Sequence, residues 1–434
     1  ENNRIIRQRP LRFRPQPWKY QGKLVKPLDS MVEGTNFKAT PPDRLLRIAV
    51  IGISGYGRVH LSMALSEMLK GKAILTAAVV INPEDEAVLI QMLQRLGVRI
   101  YPEVDALFRE ESGRLDICLI PTAPHYHAEM AEKAMRHGCH VLVEKPLSCG
   151  VAEAESILKT AEECDRKCAV GFQDMVAPEV RMVKRWILEG RIGSPLSISG
   201  IGLWPRPKSY YQRNKWAGRL KINGKRVLDS PVSNAFAHFI NLVLFWGSSS
   251  MDACASVESF EAGLFRAQAI ESFDTFSIHG QLDSGSQFKL QGTHSCRESF
   301  GPVIRISGDS GTIHWHFSKG VSIELPSGQT ETLKPIDPFL GRMLVMEEFI
   351  NLLENRRSSV CPATMALSHT RLVENLSLQT EIEDVHPGLI VCKRDLEGNE
   401  QLFIVGIEQK MLECHRSEKA KIYSPSSLAE PYSK

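Results

Sequence analysis

The stretch RIAVIGISGYGRVH, residues 47–60, decides the fold. An apolar, β-branched run over residues 47–53 reads as a buried strand, and from Arg58 the pattern turns helical as far as about Lys70. Between them lies the turn Gly52-Ile53-Ser54-Gly55-Tyr56-Gly57. Strand, glycine-rich turn and helix in that order predict the opening of a βαβ unit. Backbone amides at the start of such a helix hold a pyrophosphate, and small residues let it come close. Gly52, Ser54, Gly55, Tyr56 and Gly57 are therefore candidate dinucleotide contacts. The usual spacing asks for glycine at position 54, so Ser54 is expected to crowd the phosphate, with Gly55 keeping the turn pliable.

Downstream, strands over 75–81, 98–101, 115–120, 140–143 and 168–172 alternate with helices over 84–96, 125–137 and 151–164. That rhythm predicts a six-stranded parallel sheet covered by helices. Gly138 stands where a left-handed helix C-cap is wanted. The second strand ends at Asn82, a position that commonly carries an acid for the ribose hydroxyls. Asn82 still bonds those hydroxyls, and the adjacent Glu84 and Asp85, with no cation close in sequence, favour NAD, with NADP as the alternative.

After Gly190-Arg191-Ile192-Gly193 the pattern changes to long strands, over 196–203, 251–257, 267–282, 287–293, 303–306 and 312–316, interrupted by a helix over 233–246. Helices over 341–355 and 364–381 follow, then a hairpin and helix after Pro387. The expected fold class is an α/β Rossmann cofactor domain plus an α+β domain with a large, mainly antiparallel sheet. The expected division is a basic arm over 1–43, the cofactor domain over 44–172, a substrate and oligomerisation domain over 173–384 and a tail over 385–434.

Composition bounds the rest. With 434 residues, 43% hydrophobic and 24% charged, the chain reads as a soluble globular protein of two domains, without an apolar run long enough to span a bilayer. The net charge of +3 implies no nucleic acid, since much of the basic excess lies between Arg4 and Lys26, where Pro10, Pro15 and Pro17 discourage helix. That arm reads as a solvated or subunit-clasping tail. Glu1 rather than Met at the start leaves room for a removed targeting peptide. Ten cysteines without a CxxC pair predict no metal site and suit a reducing compartment, so cytoplasm is expected.

The segment Pro121-Thr122-Ala123-Pro124-His125-Tyr126-His127, with Glu144-Lys145-Pro146-Leu147-Ser148 and Gly171-Phe172-Gln173, resembles the glucose-fructose oxidoreductase and inositol dehydrogenase (Gfo/Idh/MocA) family. Asp274-Thr275 and Ile306-Ser307-Gly308-Asp309-Ser310-Gly311 add to the resemblance, which runs from about residue 47 to 381. It implies Pro121, Thr122, His127, Glu144, Lys145 and Gln173 as cofactor contacts. It also implies a homo-oligomer through the sheet of the second domain and transfer of hydride between a nicotinamide and the secondary alcohol or ketone of a sugar, cyclitol or derivative. An ammonium such as that of Lys145 beside the reacting hydroxyl steadies the developing alkoxide; the bland alternative is a lysine that ends a strand and reaches solvent.

The family's second catalytic element, a helix start of the form Asp-x-Gly-x-His followed by Asp, is altered here. Anchored on Asp229, the histidine position becomes Ser233; anchored on His238, the two acids become Asn234 and Asn241. The second register places His238 and Asn241 one helical turn apart, making His238 the expected proton carrier and Asp229 the alternative. In the loop after the first long strand, Trp204, Arg206, Tyr210, Arg213 and Trp216 are expected substrate contacts with Asn234 and Asn241, although such aromatic residues also serve interfaces. Two further readings stay open. One is an NAD-dependent glycosidase with a transient redox cycle, the other a non-catalytic nucleotide-binding sensor.

Overall fold

Six parallel strands run through the computed structural model, which describes residues 19–20, 23–24, 44–394 and 398–417. Along the sheet they lie in the order Cys168–Val170, His140–Val143, Ile117–Ile120, Leu46–Ile51, Ala73–Val79, Arg99–Tyr101. The first strand is central and the fourth is its neighbour, so the winding reverses between them and a crevice opens at their carboxyl ends. Helices Gly57–Leu69, His127–Arg136 and Val151–Glu163 are among those that cover the sheet. Burial on both faces explains why its strands are almost wholly apolar. Gly138 has φ +89°, as its capping position requires.

A nine-stranded sheet follows, its pairs antiparallel except where Gln287–Thr293 lies beside Pro195–Leu203 and Ile382–Asp384 beside Val257–Arg266. The fold class expected from the sequence is the one observed. The strand expected over 251–257 is a loop to residue 256, and the long strand expected over 267–282 is broken. The break has a local cause: Asp274 Oδ2 accepts from the amides of Ala267 and Gln268, both at 2.7 Å, folding 267–274 into a loop between Val257–Arg266 and Thr275–Leu282. Helices Val104–Glu111 and Pro178–Leu188 were not anticipated.

The chain then returns to the first layer. On helix Pro338–Leu353, Met343, Met346, Phe349 and Ile350 join Ile48, Val50 and Ile53 in one core, and Cys361–Pro362 pairs antiparallel with Cys168–Val170. Residues 338–362, assigned by sequence to the second domain, thus complete the cofactor layer. The tail forms the expected hairpin, Ile390–Arg394 with Glu400–Ile404, and helix Ile407–Arg416. Ile404, Ile407 and Met411 pack on Ile201, Leu203 and Phe265 of the large sheet. The arm expected over 1–43 lies outside the described residues apart from Lys19–Tyr20 and Lys23–Leu24, which pair antiparallel. Among the described residues no helix is long and apolar enough to cross a membrane.

Candidate active site

At the glycine turn, Gly52 has φ +94° and Gly55 φ +56°. A Cβ on Gly57 would stand 2.3 Å from the carbonyl oxygen of Gly52, so only glycine lets helix Gly57–Leu69 start this close to the strand. The crowding expected from Ser54 is relieved sideways: its hydroxyl lies 3.1–3.2 Å from the amide group of Asn82, which also donates to Asp85 at 3.3 Å. Tyr56 donates its hydroxyl to Gln173 Oε1 at 2.7 Å, tying the turn to the end of the sixth strand. Pro121 lies beside Gly57, and Thr122 beside Gly52. The Thr122 hydroxyl is buried without a protein partner. An orphaned donor next to a glycine turn fits a polar ligand such as a dinucleotide.

Strand His140–Val143 delivers Glu144 and Lys145 to the crevice. Glu144 Oε2 accepts from the Lys145 amide at 3.1 Å, and Oε1 lies 3.0 Å from His60 Nε2. A side chain on Gly171 would collide with this carboxylate, which gives Gly171 its reason. Glu144 therefore acts on Lys145 by positioning it. His127 is fully buried, its two ring nitrogens at 2.7 Å from the Pro146 carbonyl and 3.1 Å from that of Thr122. It links the two motifs.

The Lys145 ammonium donates to Asn234 twice, to the backbone oxygen at 2.9 Å and to Oδ1 at 2.8 Å. Asn234 Nδ2 in turn donates to Asp229 Oδ1 at 2.9 Å, while Asp229 Oδ2 accepts from the Gly218 amide at 2.6 Å. Burial lowers the pKa of Lys145 and Arg213 lowers it further, against Glu144 and Asp229, which raise it. Burial likewise raises that of Asp229, opposed by the Gly218 amide, Arg213, Asn234 and Lys145.

The helix carrying His238 runs Ala237–Gly247, shorter than expected from Ser233. Pro231 and the Ser230–Ser233 hydroxyl bonds hold 230–236 in turns, and Leu228 takes φ +50° immediately before Asp229. His238 packs edge-on to Phe172 with centroids 5.8 Å apart, and its Nδ1 is buried without a partner. Burial, then Lys145, Arg342 and His369, push its pKa well below the ordinary value, so the ring is neutral. Asn241 is not brought to this cleft. It is fully buried, donating to Met175 Sδ at 3.0 Å.

Sequence reasoning missed three neighbours. His60 sits one turn beyond Gly57 on the first helix, a spacing that pointed it at the strand ends. His369, from the late helix Ala363–Gln379, packs on the other contact of Phe172 at 5.3 Å and lies 3.1 Å from the Val232 carbonyl. Burial holds its pKa down at about 4. Asp174, next to Gln173, is pushed up to about 7 by burial and by Glu179. No local pattern marked His369, whose meeting with the site is tertiary, whereas Asp174 was signalled only by its adjacency to Gln173.

In the loop after Pro195–Leu203, Trp204 stacks on Phe236 at 5.3 Å and meets Phe239 and Phe317, a packing role. Arg206 and Arg213 both lie over Tyr210, and Arg213 also approaches Trp216. A cavity of about 440 Å³ opens behind this loop, lined by Tyr211, Lys215, Gly218 and Gln268 among others. Gly218 in its lining donates to Asp229, so the cavity borders the residues that hold Lys145. Among the described residues no group of His, Cys, Asp and Glu is arranged to hold a metal ion.

Residues 46–172 match the oxidoreductase family, NAD-binding Rossmann fold (Gfo/Idh/MocA). The chain is 27% identical over 200 residues to the glucose-6-phosphate 3-dehydrogenase of Bacillus subtilis, covering 46% of this chain and 53% of that one. It is 26% identical over 156 residues to the scyllo-inositol 2-dehydrogenase (NAD(+)) of the same organism, covering 36% and 44%. The chain thus spans about half the length of these curated relatives. Among solved structures, the WlbA dehydrogenase from Bordetella pertussis, in complex with NADH and UDP-GlcNAcA, superposes with a TM-score of 0.63 at 21% identity, over 77% of this chain and 96% of that one. That likeness shows the fold.

Proposed function

Because residues 46–172 match the Gfo/Idh/MocA oxidoreductase family with its NAD-binding Rossmann fold, we propose that the chain is an NAD-dependent dehydrogenase acting on a secondary alcohol of a sugar, cyclitol or derivative. The relatives' names support that substrate range, from a phosphorylated hexose to a neutral cyclitol. Bound nicotinamide would supply the hydride acceptor. Gly52, Ser54, Gly55, Tyr56 and Gly57 would hold its pyrophosphate, Asn82 its ribose, and Pro121, Thr122 and Gln173 the inner half.

The observation that carries the reading is the Lys145–Asn234–Asp229 chain at the carboxyl edge of the sheet. A desolvated ammonium there donates to the reacting oxygen and stabilises negative charge as it develops. His238, neutral and with an open Nδ1, takes the hydroxyl proton. Asp229 has both carboxylate oxygens engaged, so its role is to orient Asn234 and, through it, Lys145. Tyr210, Arg213 and Trp216 line the approach.

The test is to offer the full chain NAD with a panel of sugars and polyols and follow nicotinamide absorbance. Reduction that depends on a sugar is the expected result. Release of a glycosyl leaving group without net cofactor change would replace the reading with the glycosidase, and nucleotide binding without turnover would replace it with the sensor. Ten free cysteines favour a reducing compartment, the cytoplasm. Subunits are proposed to pair through the large sheet beside helix Ile407–Arg416, which sedimentation would test.

A further inference from the structure

Between Arg206 and Leu228 the chain carries eight Lys or Arg residues and no Asp or Glu. Structure sorts these cations into two groups. Lys208, Arg219, Lys225 and Arg226 each meet a carboxylate, those of Glu400, Glu271, Glu129 and Glu374. Among the described residues Arg206 and Arg213 have none, and neither do the exposed Lys215 and Lys221. The two arginines, Arg206 half-buried and Arg213 exposed, differ from the two lysines in sharing one aromatic ring. Arg206 lies 5.0 Å and Arg213 3.8 Å from the centroid of the same Tyr210 ring, so the two charges are no further apart than the sum of those distances. Trp204 and Trp216 flank them at 5.4 Å each. Arg206 Nε is buried without a partner.

Two guanidiniums converging on one ring repel each other, and the ring face compensates only part of that cost. A surface segment able to pair four of its cations with acids gives these two no carboxylate: Arg213 Nη1 donates to the Tyr210 carbonyl at 2.5 Å and Arg206 Nε has no partner, so an anion would answer a charge that the protein itself leaves uncompensated. The loop that carries the pair also reaches the reacting groups through its backbone. The Arg206 amide donates to the His294 carbonyl at 3.0 Å, and Gly218, five residues beyond Arg213, donates to Asp229, which holds Asn234 against Lys145. Arg213 is close enough to bear on the ionisation of both Lys145 and Asp229.

Resting on the dehydrogenase reading above, we infer that Arg206 and Arg213 form an anion-recognition subsite over Tyr210 beside Lys145, so that the substrate is a sugar bearing a carboxylate or phosphate, not a neutral polyol. The guanidinium fork suits either anion through paired N–H donors.

The experiment is calorimetric titration of the full chain, with and without NAD, using glucose 6-phosphate, glucuronate and UDP-N-acetylglucosamine against neutral glucose and myo-inositol. At least one charged sugar should bind about tenfold or more tightly than its neutral counterpart, and added salt should weaken it. Which of phosphate and carboxylate wins identifies the anion. Arg206→Gln and Arg213→Gln should each lose about tenfold on the charged sugar and several-fold less on neutral sugars. Arg206→Lys should recover part of the loss, and Lys221→Gln should change nothing. If no charged sugar binds better than its neutral counterpart, or if the arginine variants weaken both kinds equally, the subsite is overturned. A charged sugar that binds through these arginines without reducing NAD would overturn the dehydrogenase reading and leave the subsite standing; neutral sugars oxidised without preference would do the reverse.

Discussion

The ammonium of Lys145 is clasped by a single residue, Asn234, through its backbone oxygen and its side-chain oxygen at 2.9 and 2.8 Å. A neutral amide at this position orients the lysine without neutralising it, which leaves the charge available to a substrate oxygen. Lys145→Ala is expected to lower turnover by roughly 10²- to 10⁴-fold while NAD affinity stays within about twofold. Asn234→Asp places a second carboxylate beside the ammonium and raises the Lys145 pKa, so the limb of the pH–rate profile that reports this lysine should move to higher pH. A limb that stays in place would show that another group titrates.

His238 and Asp229 compete for the role of proton carrier. With Asp229 engaged at both oxygens, His238→Ala should cost about 10²-fold or more in kcat. Combined with Lys145→Ala, its cost should shrink, because both act on one oxygen. Loss on Asp229→Asn alone, with His238→Ala within about twofold of the parent, would assign the proton to Asp229 instead.

His369 makes stability depend on pH. Its folded pKa of about 4 lies below the ordinary histidine value near 6.5, so the unfolded chain takes up the proton first as pH falls. The contribution is therefore complete above about pH 6.5 and is lost progressively between there and pH 4, amounting to about 3 kcal/mol at the acid end. His369→Gln should lose less stability than the parent between pH 7.5 and 5, read by urea denaturation. A parallel loss in both proteins would place the acid sensitivity elsewhere, for instance at His238 or His294, which burial also keeps neutral.

Nucleotide choice is expected to rest on the Asn82 region. Asn82 already donates to Asp85, and Arg58, the nearest cation of the first helix, is paired with Glu86 at 2.7 Å. A 2′-phosphate would meet acids there, so NADP should bind about tenfold or more weakly than NAD. Gly57→Ala, which forces its methyl against the Gly52 carbonyl, should weaken both nucleotides by about tenfold or more; unchanged titration curves would remove the turn from the binding site.

Much of this arrangement is legible in residues 47–60, because strand, turn and helix there are local and their periods differ. The place of Lys145 at a strand end is legible too, whereas its role was implied only by the resemblance that Glu144-Lys145-Pro146 carries. Asn241 was misplaced because spacing along a helix says which residues share a face but not which partner covers that face; Met175 covers this one. The broken strand at 267–274 depends on Asp274 reaching back to two amides, a bond that hydrophobic patterning does not register. His369 lies more than two hundred residues from Lys145, and only the return of the chain brings the two together.

That return has a consequence for how the molecule is made. The layer that holds the glycine turn takes part of its core from Met343, Met346, Phe349 and Ile350, and its last strand from Cys361–Pro362. During synthesis from the amino end, this layer stays unfinished, with one apolar flank uncovered, until more than three-quarters of the chain has left the ribosome. The large sheet is thus an insertion that interrupts the unit it serves, and a fragment cut after Phe172 should aggregate instead of binding nucleotide.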